Sequence, residues 1–287
     1  MTETLIHSFS AMASPCEVRV DCTNPTLTRQ LGRIAEDEAR RIECKYSRYR
    51  DDSVITRINT SGGKPLDMDD ETAALLDYAD SCYRLSKGLF DVTSGVLRRI
   101  WRFDGSDNVP DKTQVKEILP FIGWSRVSWR RPTLVLPKGM EIDFGGLGKE
   151  YAVDSAVIKI KQESDLPALV NFGGDLRVTG PRLDDHCWLV AIEATDGTGI
   201  TSSRLELLNG ALTTSGDARR FLLKNGVRYS HILDPRKGWP VKHTPHSVTV
   251  AAPTCLQAGV ISTLAMLKGK KAESFLHREG VQSWVIR

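Results

Sequence analysis

The stretch Asp143-Phe-Gly-Gly-Leu-Gly-Lys-Glu-Tyr-Ala-Val-Asp154 opens with a carboxylate and three glycines. Past the glycines, Tyr151, Val153, Ala156, Val157 and Ile160 recur at helical spacing, so the run reads as a glycine turn feeding a helix. The apolar segment Ala168-Leu-Val170 follows and closes on Asn171-Phe-Gly-Gly-Asp175, a strand ending in a second glycine turn. Further along, 188–193 and 247–252 have the composition of short strands, 254–267 and 270–279 of helices, and 281–286 of a last strand. Upstream, Cys16 to Cys22 alternates as a half-buried strand, with both thiols on the inward face beside Val18 and Val20. Asn24-Pro25-Thr26 then starts a helix carrying Leu27, Leu31, Ile34, Glu38 and Ile42. A second helix follows the acidic run Asp67 to Glu71; it is expected to bury Leu75, Tyr78, Ala79, Cys82 and Leu85 and to end at Gly88. Two short strands are expected around Arg131-Pro132. Strands and helices intermingle without a regular βαβ rhythm, and hairpin-like spacings dominate after residue 165. This predicts an α+β fold, with residues 1–287 forming one continuous unit.

Composition narrows the function. Of the 287 residues, 40% are hydrophobic and 26% charged, which excludes a disordered chain, a collagen-like fibre and a disulfide-stapled mini-domain. The net charge of +3 is too small and too dispersed to argue for nucleic acid or an anionic membrane. A small molecule or another protein is the expected partner. No stretch approaches the roughly 18–20 apolar residues that span a bilayer, so no membrane insertion is expected. The N-terminal sequence lacks the basic and apolar regions of a secretory signal, and a cytoplasmic location is the expectation. The six cysteines form no Cys-x-x-Cys pair and read as reduced thiols.

Four segments carry groups with chemistry. Asp143 to Lys149 is either a tight strand-to-helix turn or a cradle for phosphate oxygens, since small residues and a helix N-terminus let backbone N–H groups approach an anion. Asn171 to Asp175 sets a second glycine pair against a carboxylate. Thr213-Thr-Ser-Gly-Asp217 is a hydroxyl-rich turn that suits phosphate or ribose as well as a capped loop. In Tyr229-Ser-His-Ile-Leu-Asp-Pro-Arg-Lys-Gly238, His231 precedes an Asp-Pro turn that would hold it as a general base near neutral pH, or simply as a structural histidine.

In this order and at these separations, the four segments resemble the FAD:protein FMN transferase (ApbE-like) family. The resemblance extends to Met12-Ala-Ser14, to Tyr46-Ser-Arg-Tyr49 with Ser53 and Asn59, and to Phe90-Asp-Val-Thr93 with Gly95, Leu97 and Trp101. It covers nearly the whole chain. It implies an α+β fold with an FAD cleft between two parts of one chain. The implied reaction is Mg2+-dependent transfer of FMN from FAD to a Thr or Ser hydroxyl of an acceptor protein, with release of AMP. Glycine turns for a diphosphate together with a base are what such a phosphoryl transfer requires. The resemblance makes His231 the base, with Asp234 in its supporting turn. For FAD it implies Met12, Tyr49 against the isoalloxazine ring, Leu89, Phe90, Asp91, Asp143, Lys149 and Leu233.

The chain departs from the family pattern at the metal. Where the family has Ala-Asp-x-x-x-Thr, this sequence reads Ala258-Gly-Val-Ile-Ser-Thr263, so Gly259 stands at the carboxylate position. The expected oxygen ligands for Mg2+ are then the carbonyl around Gly146 and the hydroxyls of Ser262 and Thr263, with the metal weakened rather than lost. Other departures are Glu150 where Lys-Gly is usual, Val54, Ala13-Ser14, and the missing export signal of the family's lipoproteins. Two alternatives follow: a non-catalytic FAD-binding protein, or an FAD pyrophosphatase in which water replaces the protein hydroxyl.

Overall fold

The computed structural model describes residues 4–193, 201–217 and 220–287. The chain opens with β1 (Thr4–Ala11) and β2 (Ser14–Asp21), an antiparallel hairpin. Helix α1 (Pro25–Tyr46) begins where Asn24 accepts hydrogen bonds from the backbone N–H groups of Thr26 and Leu27, with Pro25 at its first turn. Short α2 (Val54–Asn59) is followed by β3 (Leu66–Asp67) and α3 (Asp70–Ser86), whose N-terminus is capped by Asp69. A 3-10 segment over Val92–Arg99 leads to α4 (Lys112–Ile118) and then to β4 (Ser128–Arg130) and β5 (Thr133–Val135), which meet around Arg131 and Pro132 as expected. The glycine turn then feeds α5 (Gly148–Glu163), followed by β6 (Ala168–Phe172) and β7 (Asp175–Val178). Next come β8 (Trp188–Glu193), β9 (Thr201–Leu207), β10 (Ala211–Gly216), β11 (Phe221–Lys224), β12 (Val227–Ser230), β13 (Leu233–Asp234) and β14 (Trp239–Pro240). The chain closes with β15 (Ser247–Ala252), α6 (Cys255–Lys268), α7 (Ala272–Glu279) and β16 (Ser283–Ile286).

Seven strands form the central sheet in the order β1-β2-β6-β7-β10-β15-β16, every neighbouring pair antiparallel. The α+β expectation holds. Helices α1, α5 and α6 cover one face, and β8 and β9 pack on the other. Strand β6 shows how the sequence divides between layers. Ala168, Val170 and Phe172 point into the helix-side core, whereas Leu169 joins Leu176, Val178, Leu212, Trp188 and Leu205 on the other side. Because both faces are covered, β6 is apolar without alternation over Ala168 to Val170, and half-buried Asn171 follows. A third cluster, built on Val96, Leu97, Trp101, Ile118 and Leu222, lies under β11 to β14, where Trp101 donates to the Gly238 carbonyl at 2.9 Å.

One core assignment is corrected. Leu85 is 85% exposed rather than buried. The apolar stripe of α3 runs through Leu75, Ala79, Cys82 and Ser86, and Lys87 takes a left-handed conformation that stops the helix at Ser86. Leu85 therefore sits off the stripe in the last turn, with no later element above it.

Candidate functional site

The two glycine turns, one entering α5 and the other joining β6 to β7, are brought together by the first turn of α5. Helix α5 starts at Gly148 after Leu147, with no side chain capping its N-terminus. In its first turn Lys149 reaches the second glycine turn: Nζ lies 2.9 Å from the Asp175 carboxylate and donates to the Gly173 carbonyl at 3.3 Å. Burial disfavours the Lys149 ammonium, yet Asp175 outweighs it and holds the group above its ordinary value. At Asp175 burial is the larger influence and pushes the carboxyl up, against the attraction of Lys149. Gly173 adopts φ +61°, and a Cβ there would stand 2.7 Å from the Ser14 side chain. The turn therefore needs glycine both for its backbone and for the close approach of the β1–β2 turn.

That turn consists of Met12 and Ala13, both at positive φ, between the paired residues Ala11 and Ser14. It has the left-handed backbone of a two-residue hairpin, built without glycine. Met12 is half-buried against the core.

A second group of expected residues gathers around Asp143. The Arg48 guanidinium pairs with the Asp143 carboxylate and donates to the Tyr49 hydroxyl at 2.8 Å. Tyr49 is 79% exposed, an open aromatic face with Arg48 5.0 Å from the ring centre. Asn59 fixes the backbone leading into this site, donating to the Ile142 carbonyl at 3.0 Å and accepting from its N–H at 2.7 Å. Gly95 packs so closely that a Cβ would meet the Asp143 Cβ at 2.5 Å. Leu89 and Phe90 are buried in the core, and a Cβ on Gly146 would stand 3.6 Å from the Phe90 ring. Asp91 is also buried; it accepts from Thr93 and from the Trp124 N–H at 3.1 Å, and burial raises its carboxyl against those bonds. Leu89, Phe90 and Asp91 are thus buried behind the glycine turn, with Phe90 beside Gly146, while Tyr49 is exposed and Asp143 half-buried.

His231 is half-buried, with Nδ1 3.1 Å from the Arg220 carbonyl oxygen and its ring edge-on to Phe103. Burial lowers its pKa, the bond to the Arg220 carbonyl opposing. Asp234 does not touch it. That carboxylate holds Arg236 through two bonds at 2.8 and 2.9 Å, while its backbone carbonyl closes the turn onto Gly238. Leu233 packs into the third cluster beside Trp239. A cavity of about 1230 Å³ is lined among others by Ala13, Ser14, Gly173, Gly174, Gly216 and His231; of the expected site residues only His231 borders it, and Tyr49, Asp143, Lys149, Ser262 and Thr263 lie outside its lining. It exceeds the roughly 300–1000 Å³ of common small-molecule pockets, which suits a large ligand.

Of the oxygen donors expected for a metal, Ser262 and Thr263 lie on α6, while Gly146 belongs to the turn before α5. Ser262 is fully buried, donates to the Gly259 carbonyl at 3.0 Å and sits 2.8 Å from the Ser215 hydroxyl; Thr263 lies 3.3 Å from the same hydroxyl. Among the described residues, no group of three or more His, Cys, Asp or Glu forms a metal cluster. The donor set is nonetheless all oxygen, and Glu150 adds a buried carboxylate oxygen with no hydrogen-bond partner. Burial and the charge of Asp175 push that carboxyl well above its ordinary range. A hard dication such as Mg2+ fits this chemistry.

The ApbE family model matches residues 12–285. The chain belongs to the ApbE family. The FAD:protein FMN transferase of Haemophilus influenzae is 28% identical over 259 residues, 85% of this chain and 75% of that protein. The enzyme of the same name from Salmonella typhimurium is 31% identical over 254 residues, 84% of this chain and 72% of that one. Among solved structures, the ApbE protein of Thermotoga maritima has a TM-score of 0.88 at 28% identity, covering 99% of this chain and 94% of that one. The flavinyl transferase ApbE of Pseudomonas stutzeri has a TM-score of 0.85 at 27% identity, covering 99% and 92%.

Within this ApbE fold, three residues matter that the sequence reading gave no role. Arg48 sits inside a quoted motif, but its partner Asp143 is 95 positions away and no local pattern announces the pair. Asp175 closes the Gly-Gly-Asp motif and anchors Lys149. Glu150, read only as a departure, is the least satisfied carboxylate of the site. No helix of the described residues is long and apolar enough to cross a membrane.

Proposed function

We propose that this chain is an FAD:protein FMN transferase, moving the FMN part of FAD onto a Thr or Ser hydroxyl of an acceptor protein. Family membership and its transferase relatives support the reading. The observation that carries it here is the setting of His231. A carbonyl oxygen only accepts, so Nδ1 bears the proton bonded to Arg220 and Nε2 keeps its lone pair beside the glycine-lined cavity. The bond thus fixes which nitrogen is free to act as the base, and burial, against that bond, favours the neutral ring.

In the proposed reaction, the acceptor oxygen attacks the phosphorus on the FMN side of the diphosphate. A new P–O ester bond forms, the anhydride P–O bond breaks, and AMP departs with the bond's electron pair. Nε2 of His231 takes the hydroxyl proton. The uncapped start of α5 and the Lys149 ammonium, held by Asp175, offer positive potential to the diphosphate. Tyr49 provides a flat exposed face for the isoalloxazine, and Arg48 keeps Asp143 oriented beside it. Met12, at the tip of the β1–β2 turn, borders the flavin, while Leu89, Phe90 and Asp91 form the wall behind it and Leu233 with Asp234 sets the backbone that carries His231. Gly146, Ser262 and Thr263 would contribute oxygens to Mg2+, which when bound supplies charge neutralisation to the diphosphate.

The test is incubation with FAD, Mg2+ and a peptide bearing a Thr within a small-residue acceptor motif. An acceptor mass increase of one FMN less water, with equimolar AMP and loss of both in His231→Ala, is the expected result. FAD recovered intact, or FMN released free of the peptide, would overturn the transfer.

A further inference from the structure

Helices α5 and α6 meet at Gly259. Asp154 of α5 fixes this junction by accepting from the N–H groups of Cys255 and Leu256 at 3.0 and 2.9 Å, at the first turn of α6. One turn further along, a Cβ at position 259 would lie 2.6 Å from Cγ and 2.9 Å from Oε1 of Glu150. The Glu150 side chain therefore fills the space in which a side chain at 259 would begin. Its Oε2 is buried and has no hydrogen-bond partner, and Glu150 as a whole is only 9% exposed. The one other such oxygen among the described side chains is Oγ1 of Thr213. Ser215 of β10 bonds Ser262, so strand alternation turns Thr213 toward α6 as well. Asp175 stands one register step beyond the Leu176–Leu212 pair, opposite Thr213. The two unsatisfied oxygens thus face the same helix-side seam as the hydroxyls of Ser215, Ser262 and Thr263.

Charge sharpens the point. Lys149 is paired with Asp175 and Arg177 with Asp154, so Glu150 is left with no ion-pair partner of its own among the described residues, only the more distant attraction of Lys149. A buried carboxylate in that condition is strongly unfavourable. A proton would cancel the charge, yet the oxygen would still lack a partner. A small divalent cation meets both needs, because it takes several oxygen ligands and completes its shell with water or phosphate.

We propose that Glu150 is the carboxylate ligand of a divalent cation at this seam, carried on α5 in place of a side chain at 259, with Ser262 and Thr263 as neighbouring oxygen donors. Positions 150 and 259 then form an exchange pair: glycine at one makes room for the carboxylate of the other. The use of the cation in diphosphate chemistry rests on the transferase reading; the site itself does not.

Mn2+ binding, read from its EPR signal in the purified protein with FAD present, tests this in wild type, Glu150→Gln, and the double variant Glu150→Gly with Gly259→Asp. The wild type should bind Mn2+, and Glu150→Gln should weaken binding at least tenfold. Glu150→Gln should also abolish the Tm gain that Mn2+ gives the wild type. A merely structural Glu150 would leave that gain in place. The double variant should recover binding to within about threefold. Mn2+ affinity unchanged in Glu150→Gln, or absent from the wild type, overturns the proposal. If Glu150→Gln does not fold, the double variant decides, and its failure to bind Mn2+ is equally fatal. FMN transfer by a wild type whose metal affinity ignores Glu150 would sink this inference alone. Metal lost with Glu150 but no transfer by the wild type would sink the transferase reading alone.

Discussion

Nδ1 of His231 is committed to the Arg220 carbonyl, and burial holds the ring below its ordinary value of 6.5. The folded protein therefore keeps His231 neutral to lower pH than the unfolded chain does. The associated stability is present above 6.5 and is lost as pH falls through the folded value. For catalysis, the sign means that the base stays available on the acid side of neutrality. The acid limb of kcat/KM against pH should lie below 6.5, and His231→Ala should lose about 10²–10⁴-fold in rate. A limb above 6.5, or one that persists in the variant, would remove His231 from the role of base. At the same scale, Met12 and Ala13 show what single residues conceal. Their segment reads as a motif, but nothing in Met-Ala announces two left-handed residues, because the hairpin signal is carried by Gly and Asn. The conformation is imposed by pairing of β1 with β2 on either side.

Between elements, Glu38 ties the helices together. Its carboxylate, 1% exposed on α1, accepts from Arg41 of the same helix and from Ser155 and Lys159 of α5, while Arg41 and Tyr151 both reach Glu71 on α3. Burial alone would raise its pKa, but the hydrogen bonds from Arg41, Lys159 and Ser155 bring it from 4.5 to about 2. Such a drop is worth about 3 kcal/mol, trimmed to about 2 kcal/mol because Arg41 and Lys159 are each more than a third exposed. The contribution is full above 4.5 and disappears as pH falls toward 2. Glu38→Gln should cost about 2 kcal/mol in urea unfolding at pH 7, and the deficit should vanish near pH 2. An equal deficit at both pH values would make the loss one of packing rather than charge. The sequence placed Glu38 correctly on a helix with Leu31 and Ile42, since 3.6-residue periodicity is local. The facing helix, some 117 positions later, was beyond any local signal. The same contrast runs through the fold. The glycine turn into α5, strand β6 and the start of α1 were legible because turn residues and apolar spacing dictate them. Leu85 was misplaced because a helix's last turn depends on what lies above it, and the Glu150–Gly259 contact was invisible because it joins two helices.

For the whole molecule, the proposed site draws on the chain from Met12 to Thr263, with Arg48, Asp143, Lys149, Gly173 and His231 between. They come from the β1–β2 turn, the segment after α1, the start of α5 and the turn before it, the β6–β7 turn, the segment before β13 and α6, so a ligand that engages them ties together parts of the chain far apart in sequence. Binding to the folded state alone stabilises it by RT ln(1 + [L]/Kd), about 2.7 kcal/mol at a hundredfold excess over Kd. In a chain of this size each kcal/mol moves Tm by about 2 °C, so saturating FAD should raise Tm by about 5 °C. The shape of the transition matters more than the shift. If residues 1–287 form one folding unit, calorimetry with and without FAD should show a single transition displaced as a whole. AMP, which lacks the flavin, should give a smaller displacement because it leaves Tyr49 uncovered. Two transitions, of which FAD moves only one, would mean that the cavity side unfolds apart from the Asp143 side, and that the ligand is held by one part of the chain rather than between two.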